Sequence, residues 1–424
     1  MKHLLSLIIA ALIFNTLPAQ ISRDSIQTGF VLYEKRKSFE NAMIEKTINK
    51  TFATDLTEDN EDKYEEACWS ISQFMLRSPQ IKAGFLKLFA RYDSLQQSTK
   101  RSFLEAVYAS YQDTFYTQIN TLIAKEQMPK LFAMQAVYLS NATSRKTDKK
   151  ALAQLLQLRF DNPDSILLLR TLKEYLLYND QYARQTIPSL KELFDNQKNL
   201  HQKVIYSFQR WNRNYPGIAV IQNIDGSFAK DDKGTLIMAQ QLARAASNLP
   251  YFLTDGNTPQ GFYSIQGVEV SHNNIIGPTP NIQLILPFEA DSVYWHTPYD
   301  SAQDVLYNYL SLLPASWRNY KPIQEAYTAG KIGRSEIISH GTTIDPDYYK
   351  GQPFYPLTPT MGCLCAKEIW NEFNGKLNYS DQYKLMQAFL ATPGDKGYLI
   401  VININDDNKP VTREEIEKII ASQK

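Results

Sequence analysis

Two residues of this chain have the types and surroundings that covalent chemistry needs. Among 424 residues there are five histidines and three cysteines, and one of each sits beside glycine. His340 stands in Ser339-His340-Gly341-Thr342, and Cys363 in Thr360-Met361-Gly362-Cys363-Leu364. A thiol is a strong nucleophile only as the thiolate, and a neighbouring imidazole can take its proton. Glycine at such a place lets the chain turn sharply and brings amide N–H groups up to a reacting carbonyl. A buried, inert thiol is the other fate open to Cys363, and a surface or capping role the other one open to His340. The glycine-flanked turns favour the chemical reading of both. His272 and His296 read as structural. Cys363 and Cys365 with distant histidines have poor spacing for zinc, so neither a metal nor another cofactor is expected.

The start of the chain reads as an export signal over residues 1–19. Lys2 gives a minimal positive end, residues 4–14 are nearly all apolar, and Leu17-Pro18-Ala19 ends in a small residue before Gln20. The apolar run is short for a bilayer span, and no cysteine follows it to carry a lipid. A periplasmic protein with no membrane insertion after signal cleavage is the expectation. Exported proteins normally keep cysteines in pairs, so three of them call for a reason. Cys363 and Cys365 are too close to bridge each other. A Cys68–Cys365 disulfide would leave Cys363 free, and Cys365 otherwise reads as a packed thiol. With 45 basic and 44 acidic side chains there is no basic excess for nucleic acid.

Two kinds of element must position the pair. Over residues 59–211 apolar side chains recur at three- and four-residue steps, as at Phe103, Val107, Tyr108 and Tyr111, which predicts helices. Ser102 with Glu105, and Pro163-Asp164, mark expected helix starts. Short polar breaks between these segments suit stacked helical hairpins or an ordinary bundle. Near Asn214-Tyr215-Pro216-Gly217 the pattern changes. Ile218-Ala219-Val220-Ile221 suits a strand, 234–247 a helix, 281–286 alternates polar and apolar, and 398–404 is a clear strand. Thr412 with Glu415 caps a last helix. The expected fold is α+β: an all-α, helical-repeat-like domain over 20–211, then a β-rich domain over 212–424.

Three separated pieces carry a family likeness. Thr258-Pro259-Gln260-Gly261-Phe262-Tyr263-Ser264-Ile265, the His340-Gly341 segment and the Gly362-Cys363 turn resemble, in order, the motif boxes of the L,D-transpeptidase (YkuD-like) catalytic domain. The resemblance covers residues 215–405. It departs from the family at Cys365, where an arginine is usual, at Met361, where histidine is common, and in the insert 345–351 between the two boxes.

The resemblance implies a peptidoglycan enzyme. Cys363 would attack a stem-peptide carbonyl, terminal D-alanine would leave, and an amine or water would resolve the thioester. His340 would be the base and then the acid. The oxyanion would meet backbone N–H groups at Gly362, Cys363 or Leu364, in the turn that Thr360 opens. Gly341, Thr342, Tyr263, Tyr349 and Tyr355 are the expected substrate contacts, and Tyr348, Tyr349, Phe354 and Tyr355 form either a lid or glycan-contacting wall or a locally packed loop. Stem peptides are the expected partner, with an envelope protein possible through the helical half. A retired scaffold that binds peptidoglycan or an envelope protein, or a hydrolase of envelope amides using the same dyad, are the alternatives.

Overall fold

The computed structural model describes residues 22–143, 145 and 147–422. The export segment read at residues 1–19 lies outside them. The first part is helical: α1 (Tyr33–Asn41), α2 (Lys50–Ala53), α3 (Glu61–Phe74), α4 (Pro79–Arg91), α5 (Gln97–Ser110), α6 (Tyr116–Ile123), α7 (Pro129–Asn141), α8 (Lys149–Arg159), α9 (Leu167–Tyr182) and α10 (Leu190–Leu200). α4 starts where its sequence says: Ser78 accepts the Ile81 N–H at 3.1 Å, and Pro79 fills the first helical position, where no donor is needed. The expected start at Ser102 is not one. Ser102 and Glu105 lie inside α5, both buried. α3 packs on α5, α5 on α7 and α7 on α9, as in stacked hairpins.

The helical pattern ends earlier than residue 211. β1 (Lys203–Arg210) is a strand buried along its whole length. Val204, Ile205, Tyr206 and Phe208 bury both faces, and a short apolar run of that kind has no period to separate strand from helix. The expected helix over 234–247 is also corrected: it contains β3 (Ala239–Leu242). Ala239-Gln240-Gln241-Leu242 prefers helix locally, but pairing on both sides overrides the preference.

β2 (Gly217–Gln222), β4 (Gly261–Glu269), β5 (Asn281–Ile285), β6 (Ser339–His340), β7 (Leu364–Ala366) and β10 (Gly397–Asn405) complete a closed barrel, in the order β1-β10-β4-β5-β6-β7-β3-β2. β8 (Glu368–Trp370) and β9 (Leu377–Ser380) make a separate ribbon. Around these lie α11 (Asp291–Tyr294), α12 (Val305–Ser311), α13 (Glu325–Ile332), α14 (Asp381–Leu390) and α15 (Arg413–Ala421). α15 carries the expected reciprocal cap between Thr412 and Glu415. The chain is thus α+β, helices first. One apolar core runs from the helices (Phe74, Phe85, Phe132) into the loops beside β3 and β6, through Leu249, Phe252, Ile344 and Tyr349.

Gln260 docks α13 on the barrel. Its backbone N–H and side-chain amide donate to Glu325 at 2.9 and 3.1 Å, and its side-chain oxygen accepts the Asn403 N–H at 2.9 Å. Burial pushes Glu325 up to about 7 from an ordinary value near 4.5, against the pull of the Gln260 amides and Arg213. Between those two values the folded protein keeps a proton that the unfolded chain has lost. Stability therefore falls as pH rises from 4.5 towards 7 and is level above. Urea midpoints at pH 5.5 and pH 8 should show a loss at the higher pH, of about 2 kcal/mol from this group. Glu325→Gln should remove most of that difference.

Candidate active site

β6 and β7 lie side by side and parallel, with Ser339 opposite Leu364 and His340 opposite Cys365. Cys363 is the residue just before β7, so the histidine and the cysteine sit on one strand pair. The register continues outward: the Leu364 N–H donates to the Ile338 carbonyl at 3.0 Å. The Ile338 N–H in turn points at the Cys363 Sγ at 3.4 Å, and the Sγ lies 3.5 Å from the Glu336 carbonyl. Among the described residues no hydrogen bond joins Cys363 to His340.

The nucleophile turn is held from three sides. Thr360 Oγ1 accepts the Gly362 N–H at 3.0 Å and donates to the Cys363 carbonyl at 2.9 Å. Thr258 Oγ1 donates to the Gly362 carbonyl at 2.8 Å. The box around Thr258 thus pins the turn that carries the thiol. Gly362 has φ +115°, and a Cβ there would run into the Arg334 guanidinium and the Gly256 carbonyl, so only glycine fits. Arg334 itself donates to the carbonyls of Tyr251, Asn257 and Gly256 at 2.6, 2.9 and 3.0 Å. No motif in the sequence pointed to it.

These bonds decide which amides are free for an oxyanion. The Gly362 N–H is taken by Thr360 and the Leu364 N–H by the Ile338 carbonyl. Both are corrected as oxyanion donors. Among the described residues no acceptor lies on the Cys363 N–H, so it alone of the three is free. Thr360 and Leu364 are buried parts of the turn and the sheet.

Burial raises the Cys363 thiol to about 11. The Ile338 N–H and the Arg334 charge oppose this, while Asp255 and Glu336 add to it. Burial holds His340 below its ordinary value, with the Gly341 carbonyl opposing. His340 Nδ1 rests on that carbonyl. In the neutral ring Nδ1 then carries the proton, and Nε2 is the basic nitrogen.

The remaining expected contacts fall differently. Tyr263 has no exposed surface, and its hydroxyl donates to the Pro259 carbonyl at 2.7 Å. Tyr349 is 1% exposed and donates to the Gln73 carbonyl of α3 at 2.8 Å, tying the insert to the helices. Neither can touch a substrate. Tyr355 is exposed, with its hydroxyl 3.1 Å from Asp347. Of the four aromatics, Tyr349 and Phe354 are therefore packed, Tyr348 is half-buried and Tyr355 is open to solvent. Gly341 and Thr342 are also buried. The Thr342 N–H donates to Glu368 Oε2 at 2.9 Å and its hydroxyl to the Ile275 carbonyl at 3.1 Å, so they shape the His340 turn and do not face solvent.

All three cysteines are free thiols, so the Cys68–Cys365 bridge is not formed. Cys365 is a packed thiol beside Thr358, pushed by burial to about 12. His296 is structural, between the Ser264 hydroxyl at 2.7 Å and the Ile265 carbonyl at 3.0 Å, and His272 lies in an exposed loop. Among the described residues no cluster of His, Cys, Asp or Glu is arranged to hold a metal, and no helix is long and apolar enough to cross a membrane. Compared with protein-family models, curated proteins and solved structures, the chain matches none.

Proposed function

We propose that this protein is an exported cysteine acyl-transfer enzyme of peptidoglycan, an L,D-transpeptidase or L,D-carboxypeptidase acting on stem peptides. The observation that carries the reading is the β6–β7 pairing, which brings the His340 and Cys363 segments onto neighbouring strands. The motif order along the chain agrees with it, as does the Thr258 hydroxyl on the nucleophile turn.

In this reading His340 Nε2 takes the Cys363 proton as the sulfur attacks the stem carbonyl. A C–S bond forms, and the Cys363 N–H faces the developing oxyanion. The bond to the terminal D-alanine nitrogen breaks, and the imidazolium returns its proton to that amine. An incoming amine, or water, then attacks the thioester with His340 again as base, giving a cross-link or a shortened stem. With a thiol near 11, the resting pair is neutral and proton transfer accompanies attack. The sulfur must leave the Ile338 N–H for the imidazole when substrate enters. Arg334 supplies a positive charge at the turn where the family's arginine after the cysteine is missing.

Incubation with tetrapeptide muropeptides tests this directly. Wild type should yield cross-linked or shortened stems, and Cys363→Ala should yield none. A folded wild type that leaves every muropeptide intact would count decisively against the reading. A second reading is favoured by the sulfur's present hydrogen bonds and high pKa: a retired domain that binds peptidoglycan or an envelope protein. A carbapenem separates the two, since an active thiol gains the mass of the drug and a retired one does not. Hydrolysis of another envelope amide by the same dyad would show in the products.

A further inference from the structure

His340 and Glu368 meet at the two ends of one peptide group. The Gly341–Thr342 peptide offers its carbonyl to His340 Nδ1 and its N–H to Glu368 Oε2, the latter at 2.9 Å. We propose that Glu368 is a positioning residue for His340 that acts through this peptide, making a cysteine–histidine–carboxylate array with a backbone amide between imidazole and acid. What the array is used for rests on the function proposed above. The coupling itself needs no substrate.

The physical argument has three steps. A carboxylate on the amide N–H pulls electron density towards the carbonyl oxygen, so that oxygen accepts more strongly from the Nδ1–H; hydrogen bonds in a chain reinforce one another in this way. The stronger acceptor fixes the proton on Nδ1 and leaves Nε2 as base. When the ring becomes imidazolium, the carboxylate beyond the peptide stabilises the new charge, which is what the acid of a Ser-His-Asp triad does by direct contact.

The surroundings are built for the role. The Ser380 hydroxyl donates to Glu368 Oε1 at 2.7 Å, so each carboxylate oxygen has a fixed donor. A Cβ at position 341 would overlap the Glu368 carboxylate, so glycine there is what lets the carboxylate keep this place. The titratable groups that face the array are few. Cys365 lies opposite His340 as a neutral thiol, Lys367 precedes Glu368, and on α14 Asp381 is neutralised by Lys384 at 2.6 Å. Burial raises Glu368 to about 7, against the Ser380 and Thr342 donors, so the acid changes charge near neutral pH.

Glu368→Gln tests the proposal, because glutamine keeps an acceptor for the Thr342 N–H and removes only the charge. Two readouts are followed in the full-length protein across pH: the ring titration of ¹⁵N-labelled His340, assigned with His340→Gln, and iodoacetamide alkylation of Cys363, mapped by mass. In the variant the His340 midpoint should move to lower pH, and only modestly, because Glu368 near 7 is largely protonated over the range in which His340 titrates. Alkylation near pH 7 should slow about three- to tenfold, the size expected of a neighbouring charge acting across one peptide. An unmoved His340 midpoint with a lower melting temperature would reduce Glu368 to a structural residue and overturn the proposal. Should Glu368→Gln not fold, Ser380→Ala serves. It strips one donor from the carboxylate and raises its pKa, so less of the charge is present at a given pH. The His340 midpoint should then move to lower pH, as in Glu368→Gln, and the alkylation profile to higher pH; unmoved profiles would again overturn the idea. Muropeptides left intact by wild type, with the coupled titration present, would refute the enzyme and leave the array standing.

Discussion

His340→Gln should cut the rate of carbapenem acylation at pH 7 by about 10²–10⁴-fold, the usual range for a lost general base. The argument starts from the thiol. Burial puts Cys363 near 11, so without help only about one molecule in 10⁴ holds a thiolate at pH 7. The Ile338 N–H and Arg334 are already included in that balance, which leaves the imidazole to remove the proton. Glutamine keeps a polar group near the Gly341 carbonyl and spares the strand pairing of Ser339 with Leu364 and of residue 340 with Cys365. The sign with pH is the sharper test. Above about pH 11 the thiol ionises unaided and the variant should approach wild type, whereas near neutrality the gap should be widest. A deficit of equal size at every pH would mean that His340 shapes the pocket without moving the proton.

What the sequence made legible was the order of the pieces; what it hid was their support. The Thr258 box, the His340 turn and the Gly362-Cys363 turn were visible because rare residues stood beside glycine, and glycine marks backbone that other residues cannot adopt. β1 and β3 were missed for opposite reasons. One is buried on both faces and has no readable period, and the other is built from helix-preferring residues held by their neighbours in the barrel. Tyr263 and Tyr349 looked like contacts because aromatic residues near a site so often are, but burial of their rings and hydroxyls depends on the α3 and barrel packing that no local pattern contains. Arg334 and Glu368 were silent for a deeper reason. Their partners are backbone carbonyls and an N–H far along the chain, and backbone groups leave no trace in residue types. One signal was available for Glu368: a glycine directly after the histidine implies close approach by something, though not by what.

The same logic makes Arg334 a residue whose loss should cost both stability and the tuning of the thiol. Its guanidinium is the donor for the carbonyls of Tyr251, Gly256 and Asn257, on a loop whose Leu249, Phe252 and Leu253 belong to the core shared with the helices. It also lies against Gly362, so a single side chain joins the helix-backed loop to the nucleophile turn. Arg334→Met keeps the length and removes every donor. Buried carbonyls left without partners cost about 1–3 kcal/mol each, and several lost at once should lower the unfolding free energy by about 3–5 kcal/mol. Urea unfolding measures that loss. A second effect should accompany it: Arg334 pulls the Cys363 pKa down, so its removal should carry the alkylation profile of Cys363 to higher pH. Arg334→Lys separates the two. A lysine retains the positive charge but lacks the planar fork that reaches three carbonyls together, so stability should fall while the alkylation profile stays near its wild-type position. If both variants shifted the profile equally, the turn's geometry, and not the charge beside it, would be what tunes the thiol.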